Sequence, residues 1–469
     1  MRGDIKRVGR PTEFYEPEVE QMSRKEIRAL QLKLFKEDFG RVWSSNPFYR
    51  SRYDAAGVKP DDIKSLEDLH RVPVVRKEDV VQDIAAQPPY GTRLQVPASE
   101  IVNVVETSNT TGKGTEVQGL TASDWDRIVR AEVFGFFWAG ARKGTVVAMN
   151  TPVTMTAAGA WWFGALERLQ SNFLRLGSAD TEERLAIMKR YSPEIMTASA
   201  AYLLRLEYVA EQLGYDLQRD FSRLRSIFCS GGGWTVPWAQ ARAEKWNATL
   251  FEQYGNSQRS IAWTCEHGIV HGSERGVIHS LPHLSLLEVV DRETGLHVAA
   301  GEEGELVVTA FAQEGTPIIR YATDDRVRFM PAQACGCGRP FDGIEAGTVS
   351  RYDDMMKIKG LNVWPDVITH AVFGCAEAAE YRGDVFVDEK GMEVARVQVE
   401  FRPGMPAERR NDILKGISEE IHKRTGLNFI VRCWDGPSLL AAGAGGFNAR
   451  TLKIKRWVDR RRDTLDGLG

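Results

Sequence analysis

The sequence reads Thr107-Ser108-Asn109-Thr110-Thr111-Gly112-Lys113-Gly114-Thr115 directly after a β-like run at residues 101–105. The segment combines hydroxyl side chains, two glycines and one lysine. Hydroxyls and free backbone N–H groups can surround a polyphosphate, lysine adds a mobile positive charge, and glycine lets the backbone approach closely. It is not the standard P-loop, because Gly114 follows Lys113 where that motif needs Ser or Thr. On these residues alone, a flexible surface turn remains the alternative to a phosphate loop.

The elements around this loop indicate an α/β protein. Before it the chain reads as mostly helical, and Ser23 with Glu26 forms a capping box that opens a helix to about Arg41. After it, β-rich runs at 145–149, 226–228 and 306–308 alternate with helical stretches at 201–213 and 238–246. Such alternation predicts substantial parallel sheet.

The last part of the chain reads as a separate small unit. Residues 394–401 and 429–434 have strand patterns, and between them a helix at 407–424 is closed by Gly426. This β-α-β unit, followed by a basic tail, is typical of a compact lid domain.

Composition excludes several classes of protein. The chain has 469 residues, 43% hydrophobic and 27% charged, with a net charge of −3. The near balance of charges argues against a nucleic-acid binder. No apolar run approaches the ~20 residues of a membrane span, and the N-terminus lacks the apolar stretch of a signal peptide, so we expect a cytoplasmic protein. Six cysteines in a chain of this length do not form a disulfide scaffold.

Several motifs, in order along the chain, resemble those of one enzyme family. The loop is similar to S-S-G-T-T-G-K-P-T of the adenylate-forming superfamily of acyl-CoA ligases, adenylation domains and luciferases. Three upstream segments resemble the phenylacetate–CoA ligase branch of that superfamily: Asn46-Pro47-Phe48-Tyr49-Arg50, Ala56-Gly57-Val58 and Ser65-Leu66-Glu67-Asp68-Leu69. The resemblance implies an α/β fold with two domains. Residues 1–350 would form a large, multi-layer domain with parallel-rich sheets that binds ATP and the acid, and residues 351–469 a small, mobile α+β lid.

The resemblance also implies the nucleotide contacts. Glu252-Gln253-Tyr254-Gly255-Asn256-Ser257-Gln258 is similar to D-x-Y-G-x-S-E, in which tyrosine stacks on adenine and glutamate holds magnesium. Gln258 replaces that glutamate, and its uncharged amide would bind Mg²⁺ more weakly. Asp325, ending a motif similar to Y-R-T-G-D, would accept hydrogen bonds from the ribose hydroxyls. The remaining implied contacts are Ser108, Thr110, Thr111, Gly112, Lys113, Gly231, Gly232, Gly233, Gln253, Gly255, Asn256, Ser257 and Arg351.

Two further motifs imply a moving lid. Ser350-Arg351-Tyr352-Asp353-Asp354-Met355-Met356-Lys357-Ile358-Lys359-Gly360-Leu361-Asn362-Val363-Trp364-Pro365 resembles G-R-S-D-D-M-I-I-V-R-G-V-N-V-F-P, with Ser350 in place of the leading glycine. By that match Asp353 is the hinge. The tail Thr451-Leu452-Lys453-Ile454-Lys455-Arg456-Trp457-Val458-Asp459 resembles G-K-A-K-R-V-I-D, which makes Lys453 the catalytic lysine. A glycine-rich segment before it would let this loop swing.

Cysteine and histidine residues suggest a metal site. Cys265, Cys335 and Cys337, with His271 or alternatively His267, could form a tetrahedral zinc site. Four protein ligands leave no place for water, so the zinc would be structural. Buried free thiols beside a tight turn are the alternative.

An acyl pocket is expected at residues 151–166, because this region borders the acyl site in relatives. Small residues beside large aromatic ones could form a flat apolar slot, although ordinary core packing would explain the same pattern. The predicted lining residues are Met155, Ala158, Gly159, Trp162, Tyr202 and Trp234.

Together these features predict an AMP-forming carboxylic acid:CoA ligase that acts through an acyl-adenylate, with ATP, Mg²⁺ and CoA, on an aromatic acid. Its partners would be these small molecules, with no nucleic acid and no membrane, and a homodimer is a possible assembly. One alternative is an adenylyl- or amide-forming transferase with a non-CoA acceptor. Another is a weakened, non-catalytic relative, for which Gln258 and Leu452 are the supporting departures.

Overall fold

The computed structural model describes residues 13–107, 114–153, 158–230, 234–256, 260–389, 391–402, 404–441, 447–448 and 453–461. Its helices are α1 (Pro17–Glu20), α2 (Arg24–Ser45), α3 (Pro47–Ala56), α4 (Lys77–Ala86), α5 (Ala122–Trp138), α6 (Ala158–Arg168), α7 (Thr181–Tyr191), α8 (Ala200–Gln212), α9 (Leu217–Asp220), α10 (Val236–Trp246), α11 (Pro365–Phe373) and α12 (Ala407–Thr425). Within these ranges, none of the helices combines the length and the apolarity that crossing a bilayer needs.

The strands are β1 (Asn103–Glu106), β2 (Val117–Leu120), β3 (Val146–Met149), β4 (Asn172–Arg175), β5 (Ile195–Ser199), β6 (Ser226–Ser230), β7 (Thr249–Phe251), β8 (Gln253–Gly255), β9 (Ser260–Thr264), β10 (Val270–His271), β11 (Glu274–Arg275), β12 (Val277–Ser280), β13 (Ser285–Val290), β14 (Glu303–Ala310), β15 (Ile318–Met330), β16 (Gly343–Glu345), β17 (Ser350–Arg351), β18 (Met356–Ile358), β19 (Leu361–Val363), β20 (Ala378–Val387), β21 (Glu393–Phe401), β22 (Ile430–Cys433), β23 (Phe447–Asn448), β24 (Lys453–Ile454) and β25 (Trp457–Asp459).

A parallel sheet forms the first layer, in the order β4-β3-β5-β6-β7. Its inner strands are short apolar runs, and helices α8 and α10 connect β5 to β6 and β6 to β7. Ser199 and Thr235 cap these two helices, each accepting a hydrogen bond from a backbone N–H three residues on. Strand–helix alternation therefore forms a buried parallel sheet here, which confirms the predicted α/β class.

A second, larger sheet is antiparallel, in the order β13-β14-β15-β16-β12-β9-β8, with β17 added beside β15. The prediction of parallel strands does not extend to this sheet. The connections from β13 to β14 and from β14 to β15 lack a crossover helix, and neighbours joined in this way pair antiparallel.

The C-terminal part, from β18 to β25, is a small α+β unit that we call the lid, and the elements before it form the large part. Its sheet has the order β22-β21-β20-β25, and α11 and α12 pack together beside it. Helix α12 ends at Gly426, whose φ of 71° is left-handed, as the sequence predicted. Strand β17 still pairs with β15 through Arg351, so the boundary between residues 350 and 351 stays a prediction.

Candidate functional site

Three predicted nucleotide contacts meet on the larger sheet. Asp325 on β15 and Arg351 on β17 are direct partners in the strand register. Tyr254 on β8 donates its hydroxyl hydrogen bond to the Asp325 carboxylate. Burial raises the pKa of Asp325 to about 6, while the Tyr254 hydrogen bond and the Arg351 charge act in the opposite direction. Residues that are far apart in sequence thus form one polar cluster with a buried carboxylate.

The same cluster extends to the predicted hinge. Arg351 donates from Nε to Asp353 Oδ1 at 2.7 Å and from a terminal nitrogen to Oδ2 at 3.1 Å. Burial alone would lower the pKa of Arg351, but the Asp353 hydrogen bond and the charge of Asp325 raise it. Arg351 therefore stays a cation between the two aspartates, where it can meet an anionic ligand.

The predicted phosphate loop joins the two strands of a hairpin. Strands β1 and β2 pair antiparallel, and the backbone N–H of Thr107 donates to the carbonyl of Glu116 across the base of the loop. The Tyr321 hydroxyl donates to Glu116 Oε1 at 2.7 Å. Because Tyr321 and Asp325 share β15, this contact holds the base of the loop to the strand that carries the buried carboxylate.

Several predicted contacts lie outside the described residues. These are Ser108, Thr110, Thr111, Gly112, Lys113, Met155, Gly231, Gly232, Gly233, Ser257 and Gln258. Gly255 ends β8, and Asn256 is the last residue described before residues 257–259. The side-chain amide of Gln253 donates to Glu132 Oε2 on α5 at 2.9 Å. Lys453 begins β24, which pairs with β23 and lies against α8.

A buried carboxyl group that the sequence did not single out lies next to this cluster. Glu252 follows β7 and is 4% exposed, and its Oε2 accepts a hydrogen bond from the backbone N–H of Gly347 at 2.8 Å. Burial raises the pKa of Glu252 to about 8, although this hydrogen bond and the charge of Arg275 lower it. Burial therefore favours the protonated, neutral carboxyl group, and the side chain links β7 to the loop that leads into β17.

We expect Glu252→Gln to change the pH dependence of stability. Folding raises the pKa of Glu252 from 4.5 to about 8, so the folded state binds this proton more tightly than the unfolded state does. The resulting stabilisation is fully present below pH 4.5 and is lost as pH rises through 8. Between these two pH values, the free energy of unfolding of the wild type should fall by up to about 1.4 kcal/mol per pH unit relative to that of the variant. Thermal unfolding of both proteins at pH 5 to 8 measures the difference.

A matched control is Glu207→Gln. The buried Glu207 carboxylate bonds Arg242 at 3.0 Å and Lys245 at 3.2 Å, so this variant should lower the unfolding temperature at neutral pH. A Glu252→Gln difference that does not grow between pH 5 and 8 would show that Glu252 is ionised.

A second cluster has the chemistry of a metal centre. Ligand atoms of Cys265, His279, Cys335 and Cys337 all lie within 4.8 Å of one another. Cys265 Sγ is 3.6 Å from Cys335 Sγ, and Cys337 Sγ is 3.6 Å from His279 Nε2. His279 Nδ1 lies 2.9 Å from the carbonyl oxygen of Phe341, so donation there leaves Nε2 free to bind a metal. Three sulfurs and one imidazole are a donor set that suits zinc.

This placement corrects the predicted fourth ligand. His271 is not in the group; it lies on the exposed β10–β11 hairpin. His267, the alternative, lies 3.6 Å from Cys335 but is not part of the group, and its ring packs at a tilt against that of His271. His279 joins instead because β12 pairs with β9, which ends one residue before Cys265.

Charged residues next to the ligands hold the cluster together. Arg339 donates to Glu20 Oε2 and to Glu266 Oε2, both at 2.6 Å. Its guanidinium also lies 4.6 Å from the centre of the Trp138 ring. Since Glu266 follows Cys265 and Arg339 is two residues after Cys337, this pair joins the two ligand-bearing loops and ties them to α1.

The predicted acyl-pocket residues lie in different surroundings. Trp162 packs in the core against Phe136 and Trp263, whereas Tyr202 and Trp234 belong to another core cluster. Ala158 begins α6, and a Cβ on Gly159 would lie 2.5 Å from the Pro152 carbonyl oxygen. A cavity of about 510 Å³ is lined by other residues: Val153, Phe163, Glu167, Phe173 and Arg175. The acyl pocket therefore stays a prediction.

The chain is similar over most of its length to phenylacetate–coenzyme A ligases. No family model matches the chain. Phenylacetate–coenzyme A ligase of Aromatoleum evansii is 28% identical over 455 residues, covering 94% of this chain and 96% of the relative. The enzymes of that name from Thermus thermophilus and Escherichia coli are 29% and 27% identical. They cover 82% and 92% of this chain, and 84% and 97% of their own lengths.

Solved structures show the same fold. 2-Hydroxyisobutyryl-CoA ligase in the postadenylation state, in complex with 2-HIB-AMP, matches with a TM-score of 0.83 at 21% identity, covering 99% of this chain and 96% of that one. The same enzyme in the thioesterification state, with 2-HIB-AMP and CoA, gives a TM-score of 0.67 at 24% identity, covering 98% and 97%.

Proposed function

We propose that this relative of the phenylacetate–coenzyme A ligases, which has the fold of adenylate-forming CoA ligases, is an AMP-forming carboxylic acid:CoA ligase. The observation that carries the proposal is the cluster of Tyr254, Asp325, Arg351 and Asp353 on the larger sheet. The cluster lies at the point where the chain leaves for the lid, which supports Tyr254 as the adenine-stacking ring, Asp325 as the ribose acceptor and Arg351 as the phosphate-binding cation.

The first half-reaction joins the acid to AMP. The acid's carboxylate attacks the α-phosphorus of ATP, and pyrophosphate leaves. In this scheme Asp325 binds the ribose diol and Arg351 binds the phosphates. Arg351 is kept charged by its two aspartate neighbours, so it offers a fixed positive charge where negative charge accumulates. Magnesium, when bound, would shield the phosphates, with the Gln258 amide as a neutral ligand.

The second half-reaction transfers the acyl group to the thiol of CoA and releases AMP. We propose that the lid rotates about Asp353 between the two steps and carries Lys453 away from the site. In this structure β24, which begins at Lys453, lies against α8 of the large part. The higher TM-score to the postadenylation state than to the thioesterification state, 0.83 against 0.67, supports assigning this pose to the first step.

An aromatic acid is the substrate class that the relatives' names support, since all the sequence relatives compared are phenylacetate–CoA ligases. The adenylyl- or amide-forming alternative is not favoured by these relatives.

We also propose a structural zinc at Cys265, His279, Cys335 and Cys337, because the four donors converge without a carboxylate ligand or a place for water.

A panel of acids tests the function. Purified protein is incubated with ATP, Mg²⁺ and CoA and with aryl, arylacetic, hydroxyalkyl or straight-chain acids, and products are identified by mass. We expect a thioester and AMP, with the highest kcat/KM for an arylacetic or aryl acid. Reactions without CoA should stop at the acyl-adenylate. A nucleotidylated acceptor or an amide, without a thioester from any acid, would exclude the proposal.

A further inference from the structure

Helix α11 of the lid presents one face to the large part of the protein. Asp366 Oδ2 accepts from Arg326 at 2.9 Å, and the Phe373 carbonyl accepts from the Thr235 hydroxyl at 2.6 Å. Between them, His370 Nε2 lies 3.4 Å from a terminal nitrogen of Arg275. Positions 366, 370 and 373 share one side of a helix, so this face is one surface by which the lid is docked.

Arg326 makes the most extensive of these contacts. It lies on β15 directly after Asp325 and donates to Ser350 Oγ at 3.1 Å and to Glu303 Oε2 at 3.0 Å, as well as to Asp366. Its guanidinium also lies 4.7 Å from the centre of the Trp364 ring. One side chain therefore joins the strand of the buried carboxylate, the strand before the hinge and the first turn of α11.

The departure of Ser350 from the family's glycine has a structural role in this network. Ser350 is the register partner of Arg326, and its hydroxyl accepts from Nε. A glycine at this position would provide no acceptor. The side chains of Arg326 and Asp366 are 20% and 13% exposed, so water screens the attraction between their charges less than it would in a surface pair.

The groups of the large part that contact α11 also have hydrogen-bond partners within the large part. Arg275 also donates to the carbonyls of Ala346 and Trp234, at 2.9 and 2.8 Å. Thr235 accepts from the Trp238 N–H as the cap of α10. Burial and the charge of Arg275 lower the pKa of His370, so the neutral imidazole faces the guanidinium. A lid rotation that breaks the contacts to α11 therefore leaves these groups held by partners within the large part.

We propose that Arg326 and Asp366 are positioning residues that latch the lid in the pose required for adenylation and separate before transfer to CoA. The inference rests on the proposed two-step function. Asp366 lies beyond the proposed hinge at Asp353, whereas Arg326 lies before it, so rotation about Asp353 pulls the pair apart. The latch therefore favours the first half-reaction and opposes the second.

The test separates the half-reactions in Arg326→Gln, Asp366→Asn and the double variant. Acid-dependent ATP–pyrophosphate exchange measures the first, and thioester formation from synthetic acyl-adenylate and CoA measures the second. We expect about a tenfold loss of exchange in each single variant, because a shielded ion pair is broken. The double variant should lose no more than the worse single one. The rate of the second step should stay the same or rise.

A distance measurement reports the pose without using activity. Fluorescent non-natural amino acids at Lys33 and Lys415, whose side chains are 71% and 79% exposed, place one dye on α2 and one on the lid. The latch variants should shift the distance distribution away from that of the wild type. Arg409→Gln is the matched control, because Arg409 pairs with Glu377 within the lid, and it should change neither rate nor distance.

The outcomes distinguish the latch from the function. Equal losses in both half-reactions with an unchanged distance distribution would overturn the latch. If the wild type shows no exchange with any acid, the proposed function fails, and a shifted distance distribution in the variants would still show that the pair holds the lid.

Discussion

Lys453→Ala is expected to lower acid-dependent pyrophosphate exchange by at least about a hundredfold, the effect of removing a group that stabilises charge in a transition state. Adenylation brings a carboxylate and a triphosphate together, and both are anionic. A lysine carried by the lid would neutralise them only while the lid is closed. Exchange of labelled pyrophosphate into ATP, with saturating acid, measures this step.

Two controls make the result specific to Lys453. Lys455 lies two residues further on and is exposed, so Lys455→Ala should retain exchange within about threefold, as expected for a surface site. Thioester formation from synthetic acyl-adenylate should survive in Lys453→Ala, because the lysine has left the site by then. If exchange persists at the wild-type rate, Lys453 is not the catalytic lysine and the assignment of the tail motif is wrong.

Candidate residues that the sequence motifs single out in separate parts of the chain converge in the structure. Asp325 and Arg351 were assigned from separate motifs, and the structure brings them together as register partners on β15 and β17. The secondary structure followed from local signals in the same way. The capping box at Ser23 opens α2, and Gly426 ends α12. Such signals act over a few residues, so the sequence contains them directly.

Features that depend on pairing between distant strands were missed. His279 has no metal-binding spacing to any cysteine, and only the pairing of β12 with β9 brings it to Cys265. Glu252 reads as part of a nucleotide motif, yet its carboxyl group binds the backbone of Gly347, 95 residues away. The polar face of α11 likewise acquires partners only through the docking of the lid. Register and docking are set by the whole fold, which explains why local patterns did not reveal them.

Loss of the metal centre is the second large effect that we expect. Cys337→Ser should lose one equivalent of zinc and lower the unfolding temperature, as should removal of the metal by a strong chelator. Zinc binding contributes roughly 10 kcal/mol in small zinc-dependent peptides, and here it would join the Cys265 loop to the Cys335–Cys337 turn. Elemental analysis of protein purified without added metal, together with thermal unfolding, measures both effects.

The histidines provide the sharpest version of this test. His279→Ala should abolish metal binding, whereas His271→Ala and His267→Ala should keep it, and Cys375→Ser is a cysteine control outside the cluster.

His279→Ala also leaves a cavity in the core, so lowered stability alone proves nothing, and the metal content is the deciding measurement. Cobalt substitution adds a second readout, because each thiolate ligand contributes to the charge-transfer absorption. If the wild type contains no metal, or if His271→Ala loses it and His279→Ala does not, the assigned ligand set is wrong.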